Sequence, residues 1–186
     1  NDESNSNKMK FGIEIEICIS ESDLKELPSK GLKYKSSQKY KSEEKYTEWF
    51  YTDDSSVNCK DTDNIKIFSP KKEVSADTNF IPIEIVSKIY DQSDIDNFYK
   101  DLINILDTSF TWLVNDSAGI HVTVSEDLTI KETLNLLSFW TLFEKMFFNM
   151  VNESRRNNEF CQTYSKSLNK RYGKKEPFQN LNNIYF

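Results

Sequence analysis

Three short segments of the chain alternate aliphatic and polar side chains with the period of a β-strand. They cover residues 11–17, 81–86 and 120–124. Successive side chains of a strand point to opposite faces, so each segment predicts a strand with one apolar face and one polar face. The polar positions hold Glu14, Glu16, Glu84 and His121, the only histidine of the chain. The pattern predicts a sheet that is buried on one side and carries its chemistry on the other.

These polar positions are typical of a cation site. Glu14 and Glu16 should project from one face about 6.6 Å apart, and neighbouring carboxylates favour a bound cation between them. Glu84 lies among aliphatic residues, where a carboxylate is expected to be paired or coordinating. Oxygen ligands with a single histidine favour Mg²⁺ or Mn²⁺ over zinc. The sequence therefore predicts Glu14, Glu16 and Glu84 as metal ligands near His121, although an exposed strand face and a structural histidine are the plainer alternatives.

The charge distribution argues against general nucleic-acid binding. The 186 residues carry 24 Lys and Arg against 30 Asp and Glu, a net charge of -6. Residues 152–186 hold seven Lys and Arg against three Glu, and all three arginines of the chain. An acidic first part with a separate arginine-bearing segment suits a site that holds cations on one side and anionic groups on the other. The alternative is a solvated basic helix end.

The cysteines and the hydropathy pattern predict a cytoplasmic protein without a membrane span. Cys18, Cys59 and Cys161 are odd in number and have no close pairing pattern, which predicts free thiols and a reducing compartment, with Cys18 buried and inert. No secretory signal is apparent. The most apolar stretch, residues 134–151, is interrupted by Glu144, which argues against a membrane span.

The coarse organisation predicts an α+β domain whose antiparallel sheet has helices on one face. Residues 1–8 are expected to form a disordered tail and residues 9–186 a single domain. Residues 21–45 and 60–79 are polar and are expected to be mostly loop. Strands are predicted at 10–19, 48–51, 81–86, 112–114 and 119–124, and helices from Ser93 to about Leu106, from Thr129 to about Asn152, and at 159–168.

Five motifs in order resemble the amidoligase family, the carboxylate–amine ligases related to glutamine synthetase and glutamate–cysteine ligase. The motifs are Phe11-Gly12-Ile13-Glu14-Ile15-Glu16, Trp49 with Asp54-Ser55-Ser56-Val57, Glu84-Ile85-Val86-Ser87, Gly119-Ile120-His121-Val122, and Ser154-Arg155 with Asn158 and Cys161.

The resemblance implies the glutamine synthetase/glutamate–cysteine ligase-like catalytic fold, with three departures. Lys88 replaces the proline of the family's Glu-Ile-Val-Ser-Pro strand, and Thr123 replaces the second histidine of its Gly-x-His-Val-His strand. The family continues to a Glu-x-Arg strand that is not seen before Phe186. A truncated chain that lacks its last strand is therefore one interpretation.

The resemblance also implies a reaction and a role for each candidate residue. Such ligases use ATP with Mg²⁺ or Mn²⁺ to phosphorylate a carboxylate, which an amine then attacks. Glu14, Glu16 and Glu84 are expected to hold the metals. His121 is expected to bind a metal or the nucleotide phosphates, and Thr123 to donate a hydrogen bond to a phosphate. Arg155 is expected to bind the transferred phosphoryl group or the substrate carboxylate, and His121 and Arg155 are expected to be the catalytic residues. Asp54 and Ser56 are expected to bind substrate.

Partner identity and two rival functions remain open at this stage. The carboxylate could belong to an amino acid, a peptide or a protein, and neither nucleic acid nor membrane is expected as a partner, whereas an oligomer is possible. One rival is a degenerate scaffold that binds a nucleotide or peptide without catalysis, which Thr123 favours. The other is a carboxylate-metal nuclease or phosphatase, which the acidic balance disfavours.

Overall fold

The computed structural model describes residues 9–36, 46–60, 64–69, 74–106, 110–151, 153–156, 163 and 166, without the side chains of Ser154 and Arg155. Contacts divide the chain into two compact units, residues 1–127 and 128–186. The predicted tail at 1–8 and the predicted helix at 159–168 fall outside the described residues, apart from two isolated positions of that helix. The single-domain assignment stays a prediction.

The first unit is built around an eight-stranded sheet. Its described strands are β1 (Lys10–Ser20), β2 (Lys33–Tyr34), β3 (Phe50–Asp53), β4 (Lys66–Phe68), β5 (Phe80–Val86), β6 (Tyr90–Asp91), β7 (Trp112–Val114) and β8 (Gly119–Ser125). Its described helices are α1 (Glu21–Leu24), α2 (Ile95–Ile105) and 3₁₀ turns at Leu27–Lys30 and Gln92–Asp94. The predicted strands and the helix near residues 95–105 are confirmed to within a few residues, whereas β2 and β4 lie in segments expected to be loop.

The α+β class is confirmed, but the sheet is mixed rather than antiparallel. Its strands follow the order β2-β3-β5-β1-β7-β4, with β6 and β8 also pairing with β1. The β2–β3 pair is parallel, while every other described pair is antiparallel. This parallel pair could not be predicted, because β2 has only two residues, too few to show a period.

Strand β1 is the centre of the sheet and positions the polar residues. One edge pairs with β5, from Glu14↔Val86 to Ser20↔Phe80. The opposite edge pairs with β8 as far as Glu16↔Gly119 and then with β7 from Cys18↔Leu113. Between these two registers, residues 115–118 leave the ladder as a turn, closed by the Ala118 amide donating to the Asn115 carbonyl at 3.1 Å.

The apolar face of the sheet carries the main core, as the alternation predicts. Alternate aliphatics of β1 and β5 are buried there, and Phe98 and Ile105 of α2 belong to the same cluster. Each fully buried aliphatic or phenyl side chain contributes about 1.5–3 kcal/mol to folding. This burial fixes the strand register, because a one-residue slip would exchange the two faces. Helix α2 therefore covers the face opposite the acidic side chains.

The second unit contains α3 (Ile130–Met150) and α4 (Glu153–Arg156). The predicted capping box is confirmed at the start of α3. The Thr129 hydroxyl accepts from the Glu132 amide, and the Glu132 carboxylate accepts from the Thr129 amide. Hydrogen bonds that the Glu132 carboxylate accepts from the Thr129 hydroxyl, at 2.6 Å, and from the Thr129 amide lower the pKa of the Glu132 carboxyl. No described helix is long and apolar enough to cross a membrane.

Candidate functional site

The polar side chains of β1, β5 and β8 meet on one side of the sheet. Glu16 pairs in register with Glu84 of β5, and Glu14 pairs with His121 of β8. Directly paired residues place their side chains on the same face. We call Glu14, Glu16, Glu84 and His121 the carboxylate face. The structure thus brings together the four polar residues that the alternation singled out.

His121 contacts both carboxylates of β1. Its Nδ1 lies 3.4 Å from Glu14 Oε2, and its Nε2 lies 3.8 Å from Glu16 Oε1. The side chain of Glu16 is 17% exposed, that of Glu14 31% and that of His121 57%. When protonated, the imidazole would balance part of the negative charge of this face. The site therefore becomes more open to solvent from Glu16 towards His121.

Gly119 makes room for the Glu16 carboxylate. A Cβ added at this position would lie only 2.7 Å from Glu16 Oε2, so the carboxylate occupies space that any other residue would fill. Sequence reasoning treated this glycine only as part of a motif. Its role depends on the Glu16↔Gly119 register, which cannot be obtained from either segment alone.

Thr123, where the sequence resemblance predicted a histidine, lies on the same side of β8 as His121. It is exposed and pairs with Gly12 of β1. A Cβ at Gly12 would lie 3.2 Å from Ser87 Oγ, which accepts a hydrogen bond from the Ile13 amide at 2.8 Å. Thr123 is therefore placed where its hydroxyl could reach a ligand bound beside His121.

Asp54 and Ser56 lie at the start of a loop that follows β3, residues 54–59. The Asp54 amide donates to the Pro82 carbonyl at 3.5 Å. Asp54 therefore lies beside Pro82, two residues further along than the Thr52↔Glu84 pair. Asp54 Oδ1 accepts from the Ser56 amide at 2.8 Å and from the Ser56 hydroxyl at 2.6 Å. Ser56 thus orients Asp54, and this geometry is a typical Asx turn.

Beside the carboxylate face, two buried oxygens have no hydrogen-bond donor among the described residues. In the described part of the chain, Thr52 Oγ1 and Asp54 Oδ2 are buried without a hydrogen-bond partner. Thr52 is 1% exposed and pairs with Glu84. A buried oxygen that lacks a partner costs free energy unless a ligand or water supplies one. Sequence reasoning missed Thr52, whose only signal is its position two residues before Asp54 in an alternating strand.

The 54–59 loop is anchored to the turn at residues 115–118. The Asn58 amide donates to Ser117 Oγ at 2.9 Å, and Asn115 Nδ2 donates to the Asn58 carbonyl at 2.8 Å. That turn leads directly into Gly119. The anchors therefore connect the loop that carries Asp54 with the strand that carries His121.

The cysteine prediction was wrong, because Cys18 and Cys59 form a disulfide. Their Cα atoms lie 5.8 Å apart across 41 residues of sequence. Cys18 is fully buried on the carboxylate side of β1, where it packs with Val57 and Leu113. Spacing along the chain could not reveal this pair, because strand pairing and the loop anchors bring the two sulfurs together. The pairing also removes the cysteine argument for a reducing compartment.

Arg155 is not placed at this site by the structure. Its backbone belongs to α4, and its side chain lies outside what is described. Neighbouring Arg156 donates to the Val151 carbonyl at 3.1 Å and to the Asn149 carbonyl at 2.7 Å. These bonds satisfy carbonyls at the end of α3. The role of Arg155 stays a prediction.

The carboxylate face is compatible with a partly hydrated metal ion. Among the described residues, no group of three or more His, Cys, Asp or Glu side chains is arranged to hold a metal. Mg²⁺, however, is usually held by one or two carboxylates together with water and substrate phosphates. Gly119 lets the Glu16 carboxylate lie within the face, and the resulting oxygen-rich donor set suits such an ion better than zinc.

Comparison with known proteins identifies one family. The family model described as putative amidoligase enzyme matches residues 7–186. No curated protein and no solved structure matches the chain. The match includes every segment that contributes to the carboxylate face and the 54–59 loop.

Proposed function

The chain belongs to the amidoligase family, and from this premise we propose that it is an ATP-dependent carboxylate–amine ligase. The observation that carries the proposal is the carboxylate face, where Glu16 pairs with Glu84 and His121 contacts both Glu14 and Glu16. Phosphoryl transfer depends mainly on positioning and on neutralising charge. Acidic side chains that can hold divalent cations, placed beside a histidine, suit that task.

The proposed reaction has two steps. A substrate carboxylate oxygen attacks the γ-phosphorus of ATP, the bond to the bridging oxygen breaks, and ADP leaves. The amine nitrogen then attacks the carbonyl carbon of the acyl phosphate, loses a proton and expels inorganic phosphate. The products are an amide, ADP and phosphate.

Each side chain of the face has a role in this proposal. Glu14, Glu16 and Glu84 would hold Mg²⁺ or Mn²⁺, whose bound charge neutralises phosphate oxygens. Protonated His121 would donate a hydrogen bond to a phosphate, and the exposed Thr123 hydroxyl could donate another. The guanidinium of Arg155 matches a phosphoryl group or a carboxylate through its planar fork.

Asp54 is proposed to bind the amine. Its Oδ1 is occupied by Ser56, while its buried Oδ2 has no donor among the described residues. A substrate amine supplies N–H donors, which would satisfy that oxygen and, nearby, Thr52 Oγ1.

The carboxylate substrate could be an amino acid, a peptide or a protein. A cytoplasmic location, an oligomeric state and the glutamine synthetase-like fold remain proposals of the same kind.

Calorimetric titration with ATP, with and without Mg²⁺, tests the metal assignment. We expect the Glu14→Gln/Glu16→Gln double variant to lose Mg²⁺-dependent ATP binding, because the amide groups keep the size of the side chains and remove their charge. The matched control is Glu26→Gln/Glu48→Gln, which removes two carboxylates elsewhere on the first unit and should bind as the wild type does. A double variant that binds MgATP as tightly as the wild type would disprove the assignment.

A further inference from the structure

The Cys18–Cys59 bond joins the strand of the carboxylate face to the loop that follows β3. Cys18 lies two residues after Glu16 on the same side of β1, and Cys59 ends the loop that begins at Asp54. The two ends of the bond therefore belong to two different parts of the candidate site. Apart from the backbone that continues from β3, this disulfide is the one covalent link between the loop and the sheet among the described residues.

Among the described residues, the 54–59 loop has few buried noncovalent contacts with the sheet. The small cluster around the bond buries only Cys18, Val57 and Leu113, whereas the main core lies on the opposite face. The hydrogen bond from the Asn58 amide to Ser117 Oγ is exposed, so water competes with it. The bond from Asn115 Nδ2 to the Asn58 carbonyl is partly buried. A segment with few buried contacts and exposed hydrogen bonds opens locally at low free-energy cost.

From these observations we propose that the Cys18–Cys59 disulfide is a reducible clamp that holds the 54–59 loop beside the carboxylate face. In the oxidised chain the loop keeps Asp54 next to the Thr52–Glu84 row. Reduction removes the covalent anchor, and the loop then opens more often. The clamp itself rests on the geometry alone. Any effect of loop opening on amine binding by Asp54 rests on the proposed function.

The two sulfurs differ in their access to a reductant. Cys18 is fully buried, whereas Cys59 is partly exposed. The thiolate of a dithiol would therefore attack Cys59 Sγ, and the bond to Cys18 would break, leaving Cys18 to take up a proton. The second thiol of the reductant then releases Cys59 as a thiol and closes the reductant's own disulfide. Two electrons pass from the dithiol to the protein.

Hydrogen–deuterium exchange, measured with and without dithiothreitol, tests the clamp in the full chain. We expect amides of residues 56–60 to exchange at least tenfold faster after reduction, while amides of β5 at residues 81–86 keep their rate. Unchanged exchange in the loop would overturn the proposal. An equal acceleration of amide exchange in β5 would also overturn it, since the bond would then stabilise the fold as a whole.

Two variants separate the clamp from other effects of the reductant. Cys59→Ser should exchange at the fast rate with or without dithiothreitol. Cys161→Ser, which leaves the Cys18–Cys59 pair intact, should respond to reduction as the wild type does. Should Cys59→Ser fail to fold, the wild-type measurement decides alone. Neither result depends on ATP binding, so failure of the ligase proposal and failure of the clamp are distinguishable.

Discussion

At Gly119 a single missing methyl group leaves space for the carboxylate of Glu16. The atom that would meet an added Cβ is the far end of a flexible side chain, at 2.7 Å. The strand can therefore accept alanine if the Glu16 carboxylate moves. The alanine would then change the geometry of the site and leave the fold intact.

Gly119→Ala tests this role. We expect Mg²⁺-dependent ATP affinity to fall at least tenfold, about 1.4 kcal/mol, because the Glu16 carboxylate is displaced. The melting temperature should stay within about 2 °C of the wild type. Calorimetry and thermal unfolding measure the two quantities. Ser125→Ala, an exposed change in the same strand, is the control, and unchanged affinity in Gly119→Ala would contradict the role.

At the scale of elements, a polar network joins the segment before β3, strand β6 and helix α2. Trp49 Nε1 donates to the Tyr90 hydroxyl at 2.6 Å, and that hydroxyl donates to Asp101 Oδ2 at 2.6 Å. Lys88 Nζ lies 2.9 Å from the same oxygen. Lys88, which stands where the family has proline, thus gains a partner on α2.

The network shifts the pKa of both ionisable groups at its centre. Burial, together with the hydrogen bond to Asp101, raises the pKa of the Tyr90 phenol. Burial alone would raise the pKa of the Asp101 carboxyl, but hydrogen bonds from Tyr90 and Lys88 outweigh it and lower that pKa. The ionised form of Asp101 is therefore the one that the folded state favours.

Asp101→Asn should weaken the acid dependence of stability. A lowered folded-state pKa contributes stability above the unfolded value, about 4, and loses it as pH falls through the folded value. At pH 7 we expect the free energy of unfolding of the variant to be about 1–2 kcal/mol lower than that of the wild type. The loss is this small because about a third of the Asp101 side chain is exposed and solvent screens its interactions. Urea unfolding between pH 3 and 7 measures this. Asp96→Asn on the same helix should follow the wild-type curve, and parallel curves for wild type and Asp101→Asn would refute the prediction.

At the scale of the whole molecule, the question is whether the chain completes a reaction or only binds. The family match covers residues 7–186, which includes Thr123, where the sequence resemblance predicted a second histidine. A threonine hydroxyl can donate to a phosphate but cannot supply the charge of an imidazolium. Turnover is therefore the property that we expect a threonine at this position to affect most.

Thr123→His distinguishes a ligase from a binding module. We expect the wild type to release ADP only when both a carboxylate and an amine are present. We expect the variant to do so about a hundredfold faster, the lower end of the range for a positioned acid–base group. A coupled ADP assay against pools of amino acids and amines measures this. Thr133→His, outside the carboxylate face, is the control. MgATP binding without ADP release in either protein would instead favour the binding module.

Local patterns predicted much of the fold and the membership of the carboxylate face. The alternation around Glu14, Glu84 and His121 identified three strands and their polar sides, because strand period and burial are local properties. The capping box at Thr129 was predictable for the same reason. The parallel β2 strand and the three-residue β4 were not, since such short strands are set by their neighbours.

The sequence by itself determined which residues share a face, since the period of a strand is written in consecutive positions. Only the tertiary structure decided which of those residues meet. The Cys18–Cys59 bond, the Glu16 carboxylate over Gly119, and the Thr52–Glu84 pair each join segments far apart in the chain. Their contacts depend on strand order and register, which arise from burying the apolar face of the whole sheet.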